Sequence, residues 1–115
     1  MNKYDIGKFG QDLVEKKLIS DGFEILDKNK KYNIGELDII CKKGNRIAFV
    51  EVKTRTNNAY GEIENSISDY KLKSLESAIA RYLEEKNIDN DYSLVFAFVF
   101  INRKNKKARI KLLEY

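Results

Sequence analysis

Histidine is absent from this chain, as are proline and tryptophan, and cysteine occurs once, at Cys41. Without imidazole there is no Ser-His-Asp or Cys-His nucleophile system, no His-ligated zinc, and no ring that titrates near neutrality. A lone thiol can neither close an internal disulfide nor build a metal cage, and it fits a reducing compartment. Long apolar runs are missing too. The longest, residues 94–101, has eight residues, where a membrane helix needs roughly 20. Residues 1–11 lack the apolar core of a signal peptide. The expectation is a cytoplasmic protein with no membrane partner, whose chemistry rests on carboxylates, lysines, tyrosines or a hard metal ion.

What is present suffices for one domain covering residues 1–115, with 43% of them hydrophobic. The net charge of +4 is unevenly spread. Residues 62–91 hold eight acidic and four basic side chains, leaving 18 basic and ten acidic for the rest. Lys28, Lys30 and Lys31 form one basic cluster, and Lys42, Lys43 and Arg46 a second. The densest stretch, residues 102–111, carries Arg103, Lys104, Lys106, Lys107, Arg109 and Lys111 with no acid. A polyanion partner and merely solvated turns account for this charge equally well.

Helical spacing of Ile6, Phe9, Leu13, Val14 and Leu18 predicts a helix over residues 5–20, stopped by Gly22. Gly7 and Gly10 inside it each cost about 1 kcal/mol against alanine, so they serve either close packing or the approach of a ligand. Strands are expected at residues 23–26, 36–41 and 46–53, the last two forming an antiparallel hairpin about Gly44. Residues 54–67 read as a long polar loop, and Ser66-Ile67-Ser68-Asp69 as a helix start. Leu72, Leu75, Ile79, Tyr82 and Leu83 give the second helix its apolar face, ending near Lys86. Residues 93–101 alternate Leu94, Phe96, Phe98, Phe100 with Val95, Ala97, Val99, Ile101, an interior strand covered on both faces. A last strand is expected at 109–113. The order α-β-β-β-α-β-β, with a right-handed parallel crossover from third to fourth strand, gives an α/β fold: a central mixed five-stranded sheet flanked by helices.

Two apolar strands carry charge where a simple core would not. By the two-residue strand period Glu36 and Asp38 share a face, as do Glu51 and Lys53. Across the hairpin Asp38 and Glu51 can lie opposite one another. Two carboxylates about 4 Å apart repel by roughly 4 kcal/mol at an effective dielectric near 20. A magnesium-like cation relieves this through oxygen ligands; ion pairing on a half-exposed strand is the other reading.

Gly35-Glu36-Leu37-Asp38-Ile39-Ile40 followed by Phe49-Val50-Glu51-Val52-Lys53-Thr54-Arg55 resembles the signature of the YraN-like family. That family is assigned as endonucleases similar to archaeal Holliday junction resolvases. Lys8-Phe9-Gly10-Gln11, Gly22 to Leu26 with Asn29, Tyr60-Gly61, Lys71 and Ala80-Arg81-Tyr82-Leu83 extend the likeness over most of the chain. The resemblance implies a restriction-endonuclease-like fold and a variant PD-(D/E)XK site. Asp38 and Glu51 would be metal ligands and catalytic with Lys53, on Mg2+ with Mn2+ as substitute. Gln11 stands where the family usually has a metal-side glutamate and would be a third metal ligand through its carbonyl oxygen, without a negative charge. Glu36, Arg55 and Lys71 are supporting residues, and Lys28, Lys30, Lys31, Lys42, Lys43 and Arg46 are candidates to bind nucleic acid. The implied function is hydrolysis of DNA phosphodiester bonds on branched or non-standard DNA, for which a homodimer would suit paired cuts. The alternative is a nucleic-acid-binding module of the same fold with weak or no catalysis. Replacing Asp38 or Glu51 by alanine is expected to leave the fold intact, since it relieves repulsion.

Overall fold

The computed structural model describes residues 2–56 and 67–115. Helix α1 (Lys3–Ser20) starts two residues earlier than its apolar period suggests, because the Asn2 side chain accepts a hydrogen bond from the Asp5 N–H and caps it. Just past its C-cap, Asp21, comes Gly22, whose φ of +95° suits the reversal into the first strand. Strands β1 (Glu24–Tyr32), β2 (Gly35–Lys43) and β3 (Arg46–Thr56) follow, then α2 (Asp69–Glu85), β4 (Tyr92–Ile101) and β5 (Ala108–Glu114). The Ser68 hydroxyl caps α2 by accepting from the Lys71 N–H. Of the polar loop expected at 54–67, residues 57–66, with Tyr60, Gly61 and Ser66, lie outside the described residues.

The strands form one sheet in the order β1-β2-β3-β4-β5. Only β3 and β4 are parallel, from Ile47↔Tyr92 to Thr56↔Ile101; the other neighbours are antiparallel. The α/β architecture and element order match the expectation. The main boundary correction concerns β1, which runs on to Tyr32 through the basic cluster instead of stopping at Leu26. The backbone of Lys28, Lys30 and Lys31 pairs with Ile39, Leu37 and Glu36 of β2. Lysines suit this edge strand, where their charge discourages pairing with another chain.

The two sheet faces are packed differently. Toward α2 the sheet presents Leu37, Ile40, Phe49, Leu94, Phe96, Phe98 and Phe100, which meet Leu75, Ile79 and Tyr82. Toward α1 it presents Ile39, Cys41, Ala48, Val50, Ala97, Val99 and Ile101, which meet Val14 and Leu18. Smaller side chains let α1 approach closely, along a buried stripe of Gly10, Val14 and Leu18. Phe9 is off that stripe and 38% exposed, so it is not the core residue that its spacing suggested.

The two helix glycines have different reasons. At Gly10 a Cβ would collide with the Thr54 hydroxyl and come within 2.9 Å of that residue's Cβ and Cγ2. Gly7 meets nothing within 4 Å. Gly10→Ala is therefore expected to destabilise by about 1–3 kcal/mol through overpacking. Gly7→Ala should be neutral or stabilise by up to about 1 kcal/mol through helix propensity. Urea unfolding of the two variants beside the parent measures both.

Candidate active site

The β2–β3 ladder runs in register from Lys43↔Arg46, across the Gly44-Asn45 turn, only as far as Ile39↔Val50. Beyond that point β2 stays with β1, through Leu37↔Lys30 and Gly35↔Tyr32, while β3 stays with β4 from Glu51↔Phe96 onward. The sheet forks. Backbone N–H groups at the parting need new acceptors, and the two carboxylates supply them crosswise. Asp38 N–H donates to Glu51 Oε1 at 3.1 Å, and Val52 N–H donates to Asp38 Oδ2 at 2.8 Å.

Strand alternation slips at this point. Leu37 and Ile40, three positions apart, both face α2, whereas Ile39 and Cys41 face α1. Asp38 sits in the slip, with its Oδ2 turned toward β3. Glu51 is 3% exposed. Its second oxygen, Oε2, is 3.9 Å from Nζ of Lys71 on the first turn of α2. Lys53, two residues along β3, pairs beside Phe98 as Glu51 does beside Phe96, so the two share the face toward α2.

Burial and then the Asp38 charge push the Glu51 carboxyl up to about 8. Burial raises Asp38 as well. Lys53 is lowered, first by burial and then by the Lys71 and Arg55 charges. One oxygen of each carboxylate, Glu51 Oε1 and Asp38 Oδ2, is thus committed to a backbone N–H, and the two carboxyl groups also lie within hydrogen-bonding reach of each other. Two carboxylates of this kind fit magnesium, which commonly takes one or two of them together with substrate phosphate and water. No third Asp, Glu, His or Cys closes into a cluster with them among the described residues.

An open cleft of about 700 Å³ contains the pair, lined by Glu36, Asp38, Glu51, Lys53, Arg55, Lys71, Lys3 and Arg103 among others. A second, of about 510 Å³, lies on the α1 side and shares Lys3, Gly7, Glu36, Asp38 and Val52; it adds Gln11, Lys28 and Lys31. Gln11 does reach Asp38, but through its amide nitrogen, which donates to the main-chain carbonyl at 3.3 Å. Its observed contact therefore holds the strand that carries the carboxylate.

The basic clusters are divided. Lys28 pairs with Glu15 at 3.2 Å, Lys30 pairs with Glu85 at 3.2 Å, and Lys31 lines the second cleft. Lys42, Lys43 and Arg46 lie at the hairpin end of the sheet, away from the fork. There Lys43 donates to the Asp21 carbonyl at the end of α1, and Arg46 donates to Ser93 Oγ and the Tyr92 carbonyl. Arg103, singled out in the basic stretch 102–111 but not among the site residues that the resemblance implied, stands in the carboxylate cleft. The parallel crossover was the signal: parallel strands end on the same side, so the turn after β4 opens beside the end of β3. The structure also corrects the expectation for alanine at Asp38 or Glu51. Each carboxylate accepts a backbone hydrogen bond across the fork, so truncation would leave that N–H without its acceptor.

A family model described as "Uncharacterised protein family UPF0102" matches residues 10–111. Among similar curated proteins, a UPF0102 protein of Clostridium beijerinckii is 42% identical over 86 residues, covering 75% of this chain and 70% of the relative. One from Dictyoglomus turgidum is 40% identical over 88 residues, 76% of this chain and 75% of the relative. One from Caldicellulosiruptor saccharolyticus is 34% identical over 115 residues, 99% of this chain and 98% of the relative.

Glu51 makes the metal-free fold pH-sensitive. Its ordinary value is 4.5 and the native value about 8, so between them the native state keeps a proton that the unfolded chain has released. Stability should fall as pH rises through that window, by up to about 1 kcal/mol per pH unit. Urea midpoints in chelator are expected to be higher at pH 6 than at pH 8.5, and Glu51→Gln should flatten the difference.

Proposed function

The chain belongs to the UPF0102 (YraN-like) family, and from the site its fold builds we propose that it is a metal-dependent endonuclease acting on DNA, with branched or non-standard DNA as its substrate. The observation that carries this reading is the crossed Asp38–Glu51 pair at the fork, Glu51 buried and Asp38 half-buried, opening into a cleft lined by Lys3, Lys53, Arg55, Lys71 and Arg103. Asp38 and Glu51 would hold Mg2+, with Mn2+ as substitute. Bound there, the ion would supply charge neutralisation at the scissile phosphate and lower the pKa of a water.

The chain's own groups do the rest. Lys53, on the Glu51 face, donates to phosphate oxygens as charge builds on them. Lys71 balances Glu51 in the absence of substrate. Arg55, Arg103 and Lys3 hold the flanking backbone by charge, and Gln11 keeps Asp38 in position through the strand. Glu36 lines both clefts and adds to the negative field at Asp38. No imidazole is needed, in keeping with the composition. A binding module without turnover is the reading favoured by Gln11, whose neutral amide faces the site from α1.

The deciding experiment is a panel of single-stranded, duplex, flap and four-way-junction DNA incubated with Mg2+ or Mn2+. Metal-dependent cuts support the nuclease; tight, salt-sensitive binding without cuts would leave the binding module. Asp38→Asn and Glu51→Gln, which keep an oxygen for the backbone bonds, should fold as the parent does and lose cleavage by at least about a hundredfold. Cleavage by either variant at the parental rate in Mg2+ would overturn the site.

The placement of the basic residues gives a separate expectation for affinity. Arg103→Gln and Lys31→Gln should each weaken DNA binding and shift the slope of log affinity against log salt by about 1. Lys42→Gln, at the hairpin end, should leave that slope unchanged. Fluorescence anisotropy over a salt series reads all three.

A further inference from the structure

Phe9 is the apolar side chain of α1 that faces a groove beside the carboxylates without joining the core. The groove, of about 310 Å³, is lined by Ile6, Phe9, Thr56, Ile101, Asn102, Arg103 and Lys106. Three of these, Ile6, Thr56 and Arg103, also wall the cleft that contains Asp38 and Glu51, so the two spaces are continuous. Its floor is apolar, its rim is cationic, and no acidic side chain lines it. Arg103 and Lys106 make no side-chain ion pair among the described residues.

The rim is held in shape by its own turn. The Asn102 side chain accepts from the Lys104 and Asn105 N–H groups, and its backbone exchanges bonds of 2.8 Å with Lys107 and Lys106. Lys106 adopts a φ of +58° to close that turn.

We infer that this groove is a stacking subsite for one unpaired nucleobase of the DNA strand whose backbone enters the carboxylate cleft. The inference rests on the nuclease reading and names the feature of DNA that the site selects. An aromatic ring beside cations is the combination that binds single strands, since every base has a face to stack and every nucleotide a phosphate for a cation. A base inside continuous duplex has both faces covered by its neighbours. Only a splayed strand, as at a flap, fork or junction, presents a face to Phe9 while its phosphates reach Arg103 and Lys106.

The test uses the full chain in Ca2+ or chelator, with a blunt duplex and the same duplex bearing a single-stranded flap. Stacking on one aromatic contributes roughly 5- to 100-fold in affinity. Phe9→Ala and Phe9→Leu should each lose that factor on the flap and stay within about twofold on the blunt duplex. Leucine keeps apolar bulk, so an equal loss in both variants assigns the effect to the ring. The chain has no tryptophan, so Phe9→Trp installs a single reporter. Its fluorescence should be quenched by the flap and unchanged by the duplex, and Phe9→Trp should retain parental affinity.

Equal flap and duplex affinities in Phe9→Ala, at parental levels, would overturn the subsite while leaving metal-dependent cleavage to stand or fall in the panel above. Failure of the parent to bind either DNA at low salt would overturn the nuclease reading and the subsite together. Phe9-dependent self-association without DNA, measured by sedimentation, would assign the groove to a second copy of the chain and also overturn the subsite.

Discussion

Two crossed hydrogen bonds govern this molecule: Asp38 N–H to Glu51, and Val52 N–H to Asp38. A β-ladder normally satisfies its own backbone, but here β2 and β3 separate while each remains zipped to its outer neighbour. The side chains that close the gap are acids, Glu51 buried and Asp38 half-buried, on the wall of an open cleft. The cost of parting two strands and the cost of burying two carboxylates are thereby joined. Neither residue can be exchanged for a small apolar one without exposing the other problem. Such an arrangement is expensive unless a cation joins it, and Lys71 at 3.9 Å provides only a loose one.

The asymmetry of the core places everything around that fork. Phenylalanines on one side hold α2 at the distance of large rings, while alanine and valine on the other let α1 settle onto β3. Close contact at Gly10 and Thr54 fixes where α1 crosses the sheet. That crossing brings Gln11 to the Asp38 carbonyl and leaves Gly7 as open floor between the clefts. It also turns Phe9 outward, toward the turn that follows β4.

Much of this was legible in the sequence. Element order followed from alternation in residues 93–101 and helical spacing in the two helices. Asp38, Glu51 and Lys53 stood out because charge interrupts apolar strands. What could not be read was the slip at Asp38, since a two-residue period carries no notice of where it breaks. β1 was cut short because Lys28-Asn29-Lys30-Lys31 looks like a turn, whereas an edge strand tolerates such residues and Asn29 accepts a φ of +51°. Lys43 and Arg46 looked available for phosphate, yet tertiary contacts at Asp21 and Ser93 occupy them. Arg103 could have been placed from the parallel pairing alone, by following β3 and β4 to their common end.

That parallel pairing also sets a sequence of events. Antiparallel neighbours such as β2 and β3 can zip from a two-residue turn, but β3 and β4 can meet only after the intervening chain, including α2, has looped back. Loop closure must precede the contacts that reward it, which makes such pairings slow. Lys71 and Arg103 join the cleft of the carboxylates only through α2 and the turn after β4. During synthesis the acidic hairpin therefore emerges well before its cationic wall, and the nascent chain passes through a stage with both carboxylates but no cleft around them. Whatever chemistry this protein performs is withheld until the chain has folded back on itself.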